Sequence, residues 1–193
     1  MGDEIFKAET VREFREAVEE IVGTEDARRY AAQFEPLGES VHGEVSGCEA
    51  LAMFLYTTPM AWHEDINRRL WTGAPGSAVR LFERMLNSAL SKQSRWIGLA
   101  YRGVTTDNLE QFTGGYPVGH YVTARGFTSC ARRIEGAFRG NVLFTIHSRT
   151  AAMVWMWKAD YMEDEVIFQS GRTFEVLAVE SRGDTAFIAL DEV

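Results

Sequence analysis

Up to about residue 92 the apolar positions recur every three or four residues; beyond it they alternate or come in short runs. Phe14, Val18, Ile21 and Val22 fall on one face of the segment 11–22, which predicts an amphipathic helix with Thr10 placed to cap it and Gly23 to stop it. A second helix is predicted over 24–34, with its charges on the outer face. Pro36, Gly38, Gly43 and Gly47 then mark a loop. Residues 50–56 are apolar and periodic, Thr58 and Pro59 interrupt, and the pattern resumes over 62–70 until Gly73, Pro75 and Gly76 close it. Over 78–90 the inward set of a further helix is Val79, Leu81, Phe82, Met85, Leu86 and Leu90.

After Lys92 the segments 96–101, 121–129, 141–147, 166–168, 174–180 and 186–190 are rich in β-branched and aromatic residues. Turn sequences separate them, among them Gly114-Gly115-Tyr116-Pro117, Arg139-Gly140-Asn141 and Arg182-Gly183-Asp184. Helices first and strands second predict an α+β fold, a mostly antiparallel sheet assembly with the helices packed to one side. The chain is expected to have a helical segment over 1–46 and one compact unit over 47–193.

Composition narrows the function. In 193 residues, 46% are hydrophobic and 12% aromatic, enough for a real core. The net charge of −8 works against phosphate neutralisation, and so against a nucleic-acid binder or docking on anionic membranes. Cys48 and Cys130 are too few for a disulfide framework or a four-ligand zinc site and fit a reducing compartment. His42, His63, His120 and His147 are scattered, so no metal site is expected. The start of the chain lacks the pattern of a signal peptide and no apolar run is long enough to span a bilayer, which predicts a cytoplasmic protein.

Three places could carry chemistry. Glu163-Asp164-Glu165 leads into an apolar strand, where alternation puts Glu163 and Glu165 on one face and Asp164 on the other. Paired carboxylates on one face suit the stabilisation of a developing positive charge; a solvated acidic strand end is the plainer alternative. Arg102-Gly103 ends another apolar run, where a guanidinium fork can meet a phosphate or carboxylate. Phe127-Thr128-Ser129-Cys130 places small hydroxyl and thiol groups at the end of a strand. No His or Asn partner for a Cys130 nucleophile is evident.

In this order, Arg102, Ser129 and Glu163/Glu165 resemble the mono-ADP-ribosyltransferases of the Arg-Ser-Glu class, with spacings of 27 residues from Arg102 to Ser129 and 36 from Ser129 to Glu165. Tyr56-Thr57 followed by Ile66-Asn67-Arg68-Arg69-Leu70 is similar to the family's helix, and the stretch from Glu163 through Gly171 to Val176 to its strand, turn and strand. The likeness spans about 47–193. Of the family's Ser-Thr-Ser motif, Ser129-Cys130-Ala131 keeps the first serine. The size resembles the small phage transferases that modify host RNA polymerase, or the catalytic part of a bacterial effector toxin.

The resemblance implies an ADP-ribosyltransferase-like two-sheet core and NAD as co-substrate. Catalysis would fall to Glu165, on the ribose 2′-hydroxyl as nicotinamide leaves through an oxocarbenium-like transition state. Ser129 would orient Glu165, and Glu163 would take the acceptor's proton. Arg102 would hold the phosphates and the Gly103 backbone the nicotinamide carboxamide. Phe127, Tyr56, Asn67, Phe138 and Arg139 would complete the NAD site, with Arg132 and Arg133 in the same loop. Glu163, rather than Gln, favours an arginine of a target protein as acceptor, recognised by Trp157 and Tyr161. An inhibitory partner would fit such a toxin. Hydrolysis of NAD, a catalytically inactive interaction module and, less favoured by charge, an RNA acceptor stay open.

Overall fold

The computed structural model describes residues 8–154 and 164–193. These group into two compact units, residues 8–93 and residues 94–154 with 164–193.

The first unit holds α1 (Ala8–Val22), α2 (Thr24–Ala31), a 3-10 turn over Ala32–Phe34, a short antiparallel pair β1 (Ser40–His42) and β2 (Val45–Ser46), then α3 (Gly47–Thr57), α4 (Trp62–Thr72) and α5 (Gly76–Ser91). Phe14 and Val18 of α1 are buried with Phe82 and Leu86 of α5, and the Phe14 and Phe82 rings stack at 6.3 Å. α1 starts upstream of Thr10, which therefore lies inside its first turn and does not cap it. The loop expected over 36–47 instead contains the β1–β2 pair and the cap of α3. Ser46 accepts from the Glu49 amide at 3.3 Å while Glu49 accepts from the Ser46 amide at 2.8 Å, a reciprocal capping box. Glu49 is wholly buried, and its carboxylate also takes bonds from Lys92 Nζ at 2.7 and 2.8 Å and from the Ser88 hydroxyl at 2.6 Å. Because α3 is buried nearly all round, its sequence is apolar rather than striped.

The second unit holds β3 (Arg95–Val104), α6 (Leu109–Gly114), β4 (Tyr121–Ala124), β5 (Thr128–Ala131), β6 (Val142–Met153), β7 (Glu165–Phe168), β8 (Arg172–Arg182) and β9 (Thr185–Glu192). Strand order is β3-β5-β7-β6-β9-β8-β4, and β3 also pairs with β6. Among the described residues only the β6–β9 pairing is parallel. β6 is shared between two assemblies. One edge runs along β3; on the other, residues 142–147 pair with β9 and residues 152–153 with β7. β3, β5, β7 and β6 thus close a circuit, while β6, β9, β8 and β4 spread as an open sheet.

The change of partner is held by side chains. The Ser148 hydroxyl donates to the Trp96 carbonyl at 2.9 Å and accepts from the Ala151 amide at 3.1 Å. The buried Glu192 carboxylate accepts from the amides of Arg149 and Thr150, at 2.6 and 2.8 Å, and from the Thr150 hydroxyl. These bonds satisfy amides that the bend takes out of the ladder.

The single run expected over 121–129 is two strands at different places in the sheet: β4 lies on the edge against β8, and β5 between β3 and β7. Helix α6 was not expected. It is one and a half turns long, capped by the Asn108 side chain on the Gln111 amide at 2.9 Å, too short for a period to show. Its Phe112 and the following Tyr116 pack on Phe144, in a core that also buries Ala100, Val166, Phe168 and Ile188. No helix among the described residues is long and apolar enough to cross a membrane.

Candidate active site

Three strands bring together residues far apart in sequence. The register sets Tyr101 opposite Ala131 and Ala131 opposite Glu165, so the ends of β3 and β5 meet the start of β7. Arg102 Nη1 donates to the Ser129 carbonyl at 2.8 Å, and the Ser129 hydroxyl donates to Glu165 Oε1. The acceptor of the Arg102 bond is a neutral carbonyl, which does not offset the guanidinium's charge. The hydroxyl holds the Glu165 carboxylate in one orientation; its Oε2 is buried.

These residues open onto a cleft of about 390 Å³, whose walls include Tyr101, Cys130, Arg133, Glu135, Phe138 and Asp164. The segment 132–141 forms one side of it and is fastened at both ends. At its start the ladder continues one step past β5, the Arg132 amide donating to the Asp164 carbonyl at 2.9 Å. The Asp164 carboxylate meets two guanidinium groups, Arg132 through Oδ1 and Arg133 through Oδ2. Arg132 also lies over the Trp96 ring at 5.3 Å. At its far end Asn141 bonds both the amide and the carbonyl of Thr106, at 2.9 and 2.8 Å.

Between these ends the segment lies directly on β3. A Cβ on Gly103 would stand 1.7 Å from the Phe138 carbonyl oxygen, and one on Gly140 would stand 2.3 Å from that of Val104. Only hydrogen fits at either position. The close approach holds Phe138 at the cleft with 79% of its surface exposed, an unusual setting for a phenyl ring.

Two groups at the cleft have shifted proton affinities. The Arg132 hydrogen bond, opposed by partial burial and helped by Arg133, holds the Asp164 carboxyl below its ordinary value. Burial pushes the Cys130 thiol up to about 12, so it is protonated at neutral pH and unsuited to act as a nucleophile.

Of the residues singled out in the sequence, Arg102, Ser129, Glu165 and Phe138 line one cleft. Gly103 sits beside it with the steric duty just described. Phe127 is 2% exposed, and neither it nor the exposed Arg139 is among the described residues that line the cleft. The loop guanidinium found there is that of Arg133. Tyr56 and Asn67 belong to the helical unit, where Asn67 Nδ2 donates to the Tyr56 hydroxyl at 2.9 Å. Glu163, Trp157 and Tyr161 lie outside the described residues. Asp164, expected on the face away from the glutamates, lies at the cleft with Glu165. It precedes β7, so strand alternation does not govern it. Tyr101 and Glu135 were not anticipated either, and nothing in their neighbours distinguishes them. Among the described residues no three His, Cys, Asp or Glu side chains gather as a metal site.

No protein-family model matches the chain, and no curated protein matches it in sequence. Solved structures do. The type III effector XopAI from Xanthomonas axonopodis pv. citri superposes with a TM-score of 0.77 at 18% identity, over 97% of this chain and 84% of that one. Exoenzyme S from Pseudomonas aeruginosa, solved with human 14-3-3 protein beta and carba-NAD, gives 0.69 at 19% over 94% and 88%. The ADP-ribosyltransferase Vis from Vibrio splendidus, solved with agmatine, gives 0.65 at 20% over 88% and 83%. With its strand order, its cleft and these likenesses, the chain has the fold of the ADP-ribosyltransferases.

Proposed function

We propose that the chain is an NAD-dependent mono-ADP-ribosyltransferase that modifies arginine side chains of a target protein, with residues 47–193 as its catalytic region. The observation that carries the reading is the run of hydrogen bonds from Arg102 through Ser129 to Glu165 along the wall of the cleft. The donor set fits a dinucleotide: guanidinium groups for a diphosphate, an exposed ring to stack on a base, a fixed carboxylate for a ribose hydroxyl. The cleft is within the volume range of small-molecule sites, roughly 300–1,000 Å³.

NAD supplies an N-glycosidic bond to a cationic pyridinium, which takes the bonding electrons and leaves as neutral nicotinamide without being protonated. The protein's work is therefore orientation and charge. Arg102 and Arg133 bind the diphosphate; Glu165 accepts a hydrogen bond from the ribose and stabilises the positive charge that builds as the bond breaks. Ser129 keeps Glu165 turned toward that position. Glu163, two residues before Glu165, is assigned the acceptor's proton, and a carboxylate there suits a guanidinium, which is cationic at physiological pH. That Vis was solved with agmatine, a guanidine, supports the same acceptor class.

The test is nicotinamide release from NAD, with and without agmatine. Wild type is expected to release nicotinamide faster when agmatine is present, and Glu165→Ala to lose at least about a hundred-fold in rate. Glu163→Gln is expected to lose agmatine modification more than NAD cleavage. Release that ignores agmatine would mean water or another acceptor, and no release would leave a binding module.

A further inference from the structure

The Asp164 carboxylate divides its oxygens between two arginines of very different standing. Arg132 is 28% exposed and held from several sides: by Asp164 Oδ1, by the Trp96 ring and by the Met153 sulfur at 3.9 Å. Arg133 is 73% exposed, lines the cleft, and its ion pair is with Asp164 Oδ2. One carboxylate between two guanidiniums leaves this group of three side chains with one positive charge in excess. Asp164 is itself fixed, since its carbonyl accepts the Arg132 amide and its peptide leads directly into Glu165.

We infer that Asp164 is a positioning residue: anchored on Arg132, it holds the Arg133 guanidinium over the cleft as a preset site for the diphosphate of a dinucleotide. The inference rests on the proposed NAD reaction for its ligand. An arginine this exposed otherwise spreads over many rotamers, and ordering it at the moment of binding weakens the complex. Asp164 does that ordering in the free protein. It leaves Arg133 further N–H donors for phosphate, because a guanidinium carries five. The same contacts tie the segment that bears Arg133 to the strand that bears Glu165, so that diphosphate and ribose are met in one frame.

A plain charge-neutralising role for Asp164 predicts the opposite sign, since removing the carboxylate would then strengthen anion binding. ADP-ribose, which has the diphosphate and lacks nicotinamide, separates the two by calorimetry. Arg133→Ala and Asp164→Asn are each expected to weaken its binding about ten-fold. The double variant is expected to be no weaker than Arg133→Ala alone, because Asp164 acts through Arg133. Asp164→Glu should recover most of the loss, and in NAD cleavage the Asp164→Asn defect should fall on KM rather than kcat.

Additive losses, unchanged or tighter binding by Asp164→Asn, or no ADP-ribose binding by wild type would overturn the inference. Should Asp164→Asn not fold, Asp164→Ser takes its place, and failure of both to fold would make Asp164 a structural joint only. Wild type that binds ADP-ribose with this pattern yet releases no nicotinamide would sink the transferase reading and leave the positioning role standing.

Discussion

Lys92 shows how much a single side chain can secure. Its ammonium bonds both oxygens of the wholly buried Glu49, and also the Glu44 carbonyl at 2.9 Å. Lys92→Met would leave a buried carboxylate without its counter-charge, which costs about 3 kcal/mol or more. A lower denaturant midpoint with an unchanged slope is the expected result, and an unchanged midpoint would show that Ser46 and Ser88 suffice. At this scale the chemistry was legible in part. The grouping of Arg102, Ser129 and Glu165 was readable because their order and spacing resemble the Arg-Ser-Glu pattern, and the structure brings all three to one cleft. Asp164 was misplaced because alternation holds within a strand and fails one residue before it. Arg133 and Arg139 could not be ranked from sequence, since the path of the loop decides which guanidinium faces the cleft.

Among the elements, β6 has the most demanding task, pairing with β9 and then β7 along one edge while keeping β3 on the other. Glu192 fastens the change of partner through two amides and a hydroxyl. Glu192→Ala strands these donors and is expected to cost about 2–3 kcal/mol, with faster hydrogen exchange at the Arg149 and Thr150 amides. Exchange that is unchanged there would assign the bend to Ser148 instead. Sequence pattern gave the location of most elements because their apolar periods are long. It merged β4 with β5, since a composition of Tyr, Val, Thr and Phe says nothing of where a strand pairs. It passed over α6, whose six residues complete too few turns.

Over the whole chain, the division into helices followed by strands was visible because the hydrophobic period itself changes near residue 92. At 18–20% identity to the solved structures, the architecture persists while most side chains differ. Two carboxylates tie chain-wide stability to pH. Asp164 is held below its ordinary value by Arg132 and then Arg133; Asp191 is held there by Arg149 and then His147. A carboxylate depressed in the folded state contributes stability above its unfolded value, and the contribution is lost as pH falls through the folded one. For these two groups the thermal midpoint should hold level from neutrality to about pH 5 and fall below about pH 4. The decline should be shallower in Asp164→Asn. An equally steep decline in that variant would place the acid sensitivity elsewhere.

The contact between Gly103 and the backbone of Phe138, matched by Gly140 against Val104, bears on how decayed copies of such a gene would look. Reaction and architecture place separate demands on the chain. Under the proposed reaction, a descendant that abandons transfer is released from keeping the Ser129 hydroxyl and the Glu165 carboxylate, which that reading assigns to the substrate. It is not released from the two glycines while the strand and its covering segment still touch, because any added carbon collides whether or not a dinucleotide is ever bound. Loss of the hydroxyl and carboxylate with both glycines intact would mark a folded pseudoenzyme. Loss of the glycines as well would mark a chain whose cleft has come apart.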